Sequence, residues 1–281
     1  MAGRHGFAVA SVLLCLVSVP LLAGTSVTTT GSTTVLPISQ LVSEALAPQG
    51  IDFTVSGGGS GVGIAAIIDS TTQIAASSRA MTLGEFKQAV DNGVTPYVWE
   101  IAVDAIAIVV HPSNPIAKIT YDQLSRIYVG QITNWQELGG SDLRIVVVSR
   151  DTSSGTYGTF NELVLGKEGV MAGALYQSSN ASVATTVAQT PGGIGYISLG
   201  YLQPALKVLD VARTDAGPFV TPSVATSISF EYPLSRPLFY ITNGFPTGAA
   251  AQVITYILSD EGQRLVLEAG YAPIRQVSET P

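Results

Sequence analysis

Arg150-Asp151-Thr152-Ser153-Ser154-Gly155-Thr156 sets a guanidinium four residues ahead of a Ser-Gly-Thr, at the point where two periodicities meet. The run Ile145 to Val148 reads as a buried strand, while Tyr157, Phe160, Leu163 and Val164 recur at helical spacing until Gly166 can stop the helix. The motif therefore falls on a strand-to-helix turn, the basic unit of an α/β fold. A helix N-terminus offers unpaired N–H groups and the positive end of a dipole; hydroxyls and one Arg fork would complete the hydrogen-bond needs of a tetrahedral oxyanion. The same letters also fit a capped helix whose Arg150 pairs with Asp151.

Two further loops share this design. Gly31-Ser32-Thr33-Thr34 precedes a segment with Pro37 in its first turn and Ile38, Leu41, Val42, Ala45 and Leu46 on one face. Gly57-Gly58-Gly59-Ser60-Gly61 follows the alternating Phe53-Thr54-Val55 and precedes Ile64, Ile67 and Ile68, so a third helix begins where glycines let backbone approach a ligand. No G-x-x-x-x-G-K-[ST] is present, and Gly57-x-Gly59-x-x-x-Gly63 does not fit the dinucleotide fingerprint.

With these loops, Ala76-Ser77-Ser78-Arg79, Ala102 to Ala107, Tyr121 to Leu124 with Gly130 to Trp135, and Gly192 to Tyr196, the chain resembles the phosphate-binding components of high-affinity phosphate ABC importers. The resemblance covers nearly all of the chain after residue 25, in family order. It implies the type II periplasmic-binding-protein fold: two α/β lobes joined by two crossing segments, with the ligand in the cleft between them. Lobe one would hold about 28–105 with 235–281, and lobe two 106–234; Ile101 to Val110 and Tyr232 to Phe239 would be the crossings. The residues alone establish only an α/β chain with room for one large domain or two modest ones.

Composition agrees. With 281 residues, 46% hydrophobic and 12% charged, the chain can bury ample core. A net charge of −7 with no Lys/Arg cluster argues against nucleic acid as a partner. It leaves a small anion open, because N–H dipoles and one Arg act at hydrogen-bond range while distant charge is screened over about 8 Å. Arg4 and His5 precede an apolar run from Phe7 to Ala23, so residues 1–25 read as a secretory signal peptide or an uncleaved N-terminal anchor, and the protein is expected outside the cytoplasm, periplasmic or at the cell surface. The sole cysteine, Cys15, lies inside that run, and the only histidines are His5 and His111, which argues against disulfides and against a Cys/His metal site.

Several conspicuous residues read as structural. Trp99, Trp135, Tyr128 and Phe160 fall on apolar faces, and Lys87/Asp91 and Asp260/Arg264 have the i,i+4 spacing of solvated helix pairs. A secreted phosphatase is a second class of reading, with Ser154 as nucleophile. Its base would have to be His111, and a two-metal site lacks its carboxylates and imidazoles. No catalytic residue, metal or cofactor is expected. Within binding proteins the competitor is a receptor for sulfate, molybdate or tungstate.

The resemblance implies a ligand shell: Thr33, Thr34 and Val35 from the first loop, Ser60 from the second, Ser78 from the third, and Arg150, Ser154, Gly155 and Thr156 from the opposite lobe. It also implies, as partners, a permease and an ATPase that read the closed form of a monomer. The chain departs from the family in one place. Better-known members carry an aspartate where Ser78 is placed here, and that carboxylate accepts the proton that HPO4 carries and sulfate lacks. Asp104, at the crossing, is the expected substitute acceptor.

Overall fold

A computed structural model describes residues 25–277. Eleven strands and nine α-helices occur among the described residues. The strands are β1 (Ser26–Gly31), β2 (Asp52–Ser56), β3 (Ile74–Ser77), β4 (Pro96–Val110), β5 (Lys118–Thr120), β6 (Val146–Arg150), β7 (Leu175–Gln177), β8 (Gly193–Ser198), β9 (Lys207–Val208), β10 (Asp210–Ala212) and β11 (Ser235–Asn243). The helices are α1 (Leu36–Leu46), α2 (Ser60–Ile68), α3 (Leu83–Asp91), α4 (Tyr121–Tyr128), α5 (Gly155–Leu163), α6 (Asn180–Gln189), α7 (Val224–Ile228), α8 (Gly248–Ile257) and α9 (Asp260–Glu268).

One sheet runs β2-β1-β3-β11-β4-β8-β6-β7, with β9 also on β4. Strands β1, β2 and β3 are mutually parallel, as are β6, β7 and β8; the antiparallel pair β4/β11 lies between the two sets. The fifteen residues of β4 serve both sets: its first part pairs with β11 and its last part with β8. Ile101 to Val110 is buried throughout, as a strand covered on both faces requires. Two large cores result. Val27, Ile38, Val42, Ile101, Tyr240 and Val253 belong to one; Ile106, Leu124, Trp135, Phe160, Ile194 and Leu234 belong to the other.

The carboxyl ends of the two parallel sets face each other across β4/β11, and the loops that leave them start helices; α2, α5 and α6 begin at glycine or a hydroxyl, whereas α1 begins at Val35 with no side-chain cap. Ser154 caps α5 by accepting from the N–H of Tyr157, Ser179 caps α6, and Gly59 precedes α2. Open α/β sheets bind ligands in this crevice.

Some expectations shift. The strand expected at 145–148 lies at Val146–Arg150, so Arg150 is its last residue. Helix α5 stops before Val164, which is buried in the core, and Leu163 is 40% exposed. Trp99 is only half-buried; it joins Tyr97 and Phe245 in a surface cluster with ring centroids 4.6–5.7 Å apart. Asp260 bonds Arg275 rather than Arg264, which lies beside Glu261. The expected signal or anchor lies outside the described residues. No helix among the described residues is long and apolar enough to cross a membrane.

Candidate functional site

Three chain segments from one side deliver the hydroxyls of Ser32, Thr34, Ser60 and Ser78 to the crevice, and two from the other deliver those of Thr156 and Ser198. Thr34 Oγ1 lies 3.1 Å from Thr156 Oγ1 and 2.8 Å from Ser198 Oγ, and it accepts from Asn180 Nδ2 at 3.1 Å. Beside this group, Ser78 Oγ meets Ser32 Oγ at 3.0 Å and Ser60 Oγ at 3.2 Å, while the Ser78 N–H donates to Ser60 Oγ. All of these side chains are buried. Tyr201 and Tyr271 donate to the carbonyls of Thr33 and Thr34, which pins the first loop from both lobes.

The two halves touch. A Cβ at Gly155 would stand 2.3 Å from Ser60 Oγ and 2.6 Å from Ser78 Oγ, so only glycine lets the start of α5 meet the start of α2. The Gly61 N–H donates to the Ser153 carbonyl at 2.8 Å, and Ser153 Oγ lies 3.2 Å from the Gly58 carbonyl oxygen. Two positively polarised helix ends thus converge on one spot.

Arg150 is buried at the edge of this spot. Its Nε donates to the Gln177 carbonyl and its Nη2 to the Ser178 carbonyl, fixing the plane of the fork; Nη1 is buried with no hydrogen-bond partner in the protein. Asp151 does not take it up: one carboxylate oxygen accepts from the N–H and the hydroxyl of Ser153. Burial pulls the Arg150 guanidinium down from its ordinary range, with the nearby Asp151 charge acting the other way. It remains a cation at neutral pH, since arginine starts so far above it.

The expected residues divide. Thr33, Thr34, Ser60, Ser78, Arg150, Ser154, Gly155 and Thr156 surround the crevice. Val35 does not offer its N–H: that group donates to the Ser32 carbonyl in a turn, and the side chain is core. Asp104 is not free to accept from a ligand. Its Oδ2 takes Nε and Nη2 of Arg236 at 3.1 and 2.9 Å, and its Oδ1 takes the Leu199 N–H at 3.1 Å. Arg236 faces Asp104 directly in the β4/β11 register. Burial pushes the Asp104 carboxyl up and the Arg236 guanidinium down, and their mutual attraction opposes both shifts.

Sequence reading missed Arg236, Asn180, Ser198 and Ser32. Arg236 stood inside the crossing run Tyr232 to Phe239, where a lone cation among apolar residues was the available signal. Beside the cage a cleft of about 710 Å3 opens between the lobes, lined by Ser78, Arg79, Gly158, Lys167 and Arg236 among others. No group of His, Cys, Asp and Glu able to hold a metal occurs among the described residues.

Comparison with known proteins places this crevice in context. The profile of the PBP superfamily domain matches residues 19–261. The phosphate-binding protein PstS of Bacillus subtilis is 31% identical over 262 residues, covering 92% of this chain and 84% of that one. PstS of Borreliella burgdorferi is 31% identical over 264 residues, covering 87% and 88%. Among solved structures, a phosphate ABC transporter substrate-binding protein from Clostridium perfringens with bound phosphate superposes with a TM-score of 0.81 at 31% identity, covering 89% of this chain and 100% of that one. A phosphate transport receptor from Vibrio cholerae gives 0.71 at 31%, covering 88% and 99%.

Proposed function

The chain belongs to the PBP superfamily, as one of its phosphate ABC transporter substrate-binding proteins, and from that premise we propose how its residues do the work. It captures inorganic phosphate and supplies it to an ABC importer. The observation that carries the site assignment is Arg150: a buried guanidinium whose plane is fixed by two carbonyls while Nη1 is left without a partner, beside the abutting starts of α2 and α5. A buried donor of this kind costs free energy unless something accepts from it, and a phosphate oxygen is the acceptor the surroundings suit.

Thr33, Thr34, Ser60 and Ser78 form one half of the cage; Arg150, Ser154, Gly155 and Thr156 form the other. Lobe one is 28–105 with 235–281, lobe two is 106–234, and β4 and β11 carry the bend between them. Because each lobe supplies half the donors, phosphate binds the closed arrangement better than an open one and shifts the equilibrium by that difference. Asp104 serves the cage through Arg236, whose charge it balances, and the phosphate proton falls to the hydroxyls of Ser60 and Ser78, which can accept as well as donate. The protein acts as a monomer outside the cytoplasm, delivering phosphate to a membrane permease and its ATPase without catalysis.

Calorimetry on refolded, ligand-free protein tests this. Phosphate is expected to bind one to one without added metal, with no steady release of p-nitrophenol from p-nitrophenyl phosphate. A divalent-metal requirement or turnover of the ester would overturn it.

A further inference from the structure

Tyr196 closes the run Gly192 to Tyr196 and is fully buried behind Arg150. The pairing of β6 with β8 ends at Val147 opposite Ile194, and beyond it hydroxyls take the place of β8. The Val148 carbonyl accepts from the Tyr128 hydroxyl at 3.3 Å, and the Arg150 N–H donates to the Tyr196 hydroxyl at 3.1 Å. Ser149 Oγ lies 2.9 Å from Tyr196 Oη and 3.2 Å from the Arg150 carbonyl oxygen. Burial pushes the Tyr196 phenol up from its ordinary range, so it keeps its one proton at neutral pH. Both hydroxyl protons find an acceptor in one arrangement: Tyr196 donates to Ser149, and Ser149 to the Arg150 carbonyl. The N–H and C=O of Arg150 are thus closed into a ring of three hydrogen bonds through a side chain from β8. The ring of the same tyrosine stacks on Phe160, with centroids 4.3 Å apart and planes 15° from parallel, and Tyr128 packs against both. Phe160 belongs to α5, whose first residues, Gly155 and Thr156, meet Ser60, Ser78 and Thr34.

Resting on the assignment of Arg150 to phosphate above, we propose that Tyr196 is a positioning residue for phosphate binding: its hydroxyl fixes the main chain from which the Arg150 fork departs, and its ring fixes α5 relative to that fork. The Gln177 and Ser178 carbonyls grip the far end of the Arg150 side chain, and Tyr196 with Ser149 grips its root, so Nη1 keeps one direction. A binding constellation loses affinity when its supports allow shifts beyond about 0.5 Å. Without the Tyr196 hydroxyl, the Arg150 N–H would be buried without an acceptor, and the strand end would move to find one.

The test is phosphate calorimetry on the parent, Tyr196→Phe, Ser149→Ala and Arg150→Ala, with Tyr196→Phe and Ser149→Ala also placed in the Arg150→Ala background and urea unfolding followed for each. Tyr196→Phe keeps the stacked ring and removes only the hydroxyl. It should weaken phosphate binding about fivefold, and Ser149→Ala, which opens the same ring of bonds, about threefold. In the Arg150→Ala background Tyr196→Phe should change affinity by less than about 1.5-fold, because the group it positions is gone, while its effect on unfolding persists. An equal loss of affinity in both backgrounds would show that Tyr196 only supports the lobe as a whole and would overturn the proposal, as would parent-like binding by Tyr196→Phe. Should Tyr196→Phe fail to fold, Ser149→Ala in the two backgrounds decides in the same way. A parent that binds no phosphate, or Arg150→Ala binding it like the parent, would instead defeat the phosphate assignment itself.

Discussion

Arg150 and Arg236 are both buried, close enough for their charges to oppose one another, and yet differently employed. Around Arg236 every contact is internal: a carboxylate, a carbonyl and three hydroxyls use its donors. Around Arg150 two carbonyls hold the fork and one nitrogen is left. Burial alone therefore does not mark a ligand-binding cation. What marks it is an unfinished set of hydrogen bonds, because desolvating a donor without a partner is tolerated where a ligand can complete it.

Four measurements bear on this contrast. The largest effect is expected for Arg236→Leu, which strands the Asp104 carboxylate in a fully buried place; unfolding in urea should show a loss of about 3–5 kcal/mol. A loss below about 1 kcal/mol would mean that Asp104 finds another partner or a proton. Next comes Arg150→Ala, for which one charged contact worth roughly 1.5–3 kcal/mol predicts phosphate binding about 10- to 150-fold weaker by calorimetry. Arg150→Lys should recover little, since an ammonium cannot hold the Gln177 and Ser178 carbonyls and still reach the anion. Binding within about twofold of the parent would remove Arg150 from the site.

Gly155→Ala should sit lower. The added methyl meets two short buried hydroxyl side chains, so the cage has to widen at a cost of about 1–2 kcal/mol, read as roughly tenfold weaker phosphate binding. An unchanged affinity would mean that α2 and α5 part easily. The smallest effect lies away from the cage, at Glu85 in the capping box of α3. Burial pushes its carboxyl up, but the Arg79 side chain, the Thr82 N–H and the Arg79 charge outweigh this and hold it below the ordinary 4.5. A depressed carboxyl contributes stability above its unfolded value and loses it as pH falls through the folded one. The stability difference between the parent and Glu85→Gln should thus be constant above about pH 5 and fade below 4.5, as followed by thermal melts. A difference that persists at pH 3 would assign the effect to packing.

How much of this was legible in the letters follows from how local each signal is. The turn at Arg150 to Thr156 and the loops at 31–34 and 57–61 announce themselves, because strand periodicity, glycine, hydroxyls and helix periodicity follow within a dozen residues. Helix α4 is equally local, its capping box at Thr120 and Gln123 lying just ahead of Leu124, Ile127 and Tyr128 on its buried face. Arg236 was not, because its partner Asp104 is 132 residues away in sequence and becomes its neighbour only through antiparallel register. Asn180 and Ser198 carried no motif; each matters only because α6 begins and β8 ends where Thr34 arrives. Trp99 is a partial case: it packs against the core from an exposed strand end, and its remaining face meets Tyr97 and Phe245 at the surface.

The placement of β11 sets the order in which the molecule can be made. It is the last strand in the chain, yet it inserts between β3 and β4, at the centre of a sheet whose other members come earlier. Until residues 235–243 have been synthesised, β3 and the first half of β4 have no partner on their facing edges, and Val253, Val266 and Tyr271 are still missing from the core they complete. The first hundred residues therefore cannot finish folding on the ribosome ahead of the rest; their closure waits on contacts spanning well over a hundred positions, which is slow and leaves strand edges open in the meantime. A chain truncated at residue 234 would keep Thr34, Ser60, Ser78, Thr156 and Ser198 and still lack Arg236 and the strand that joins their two sides.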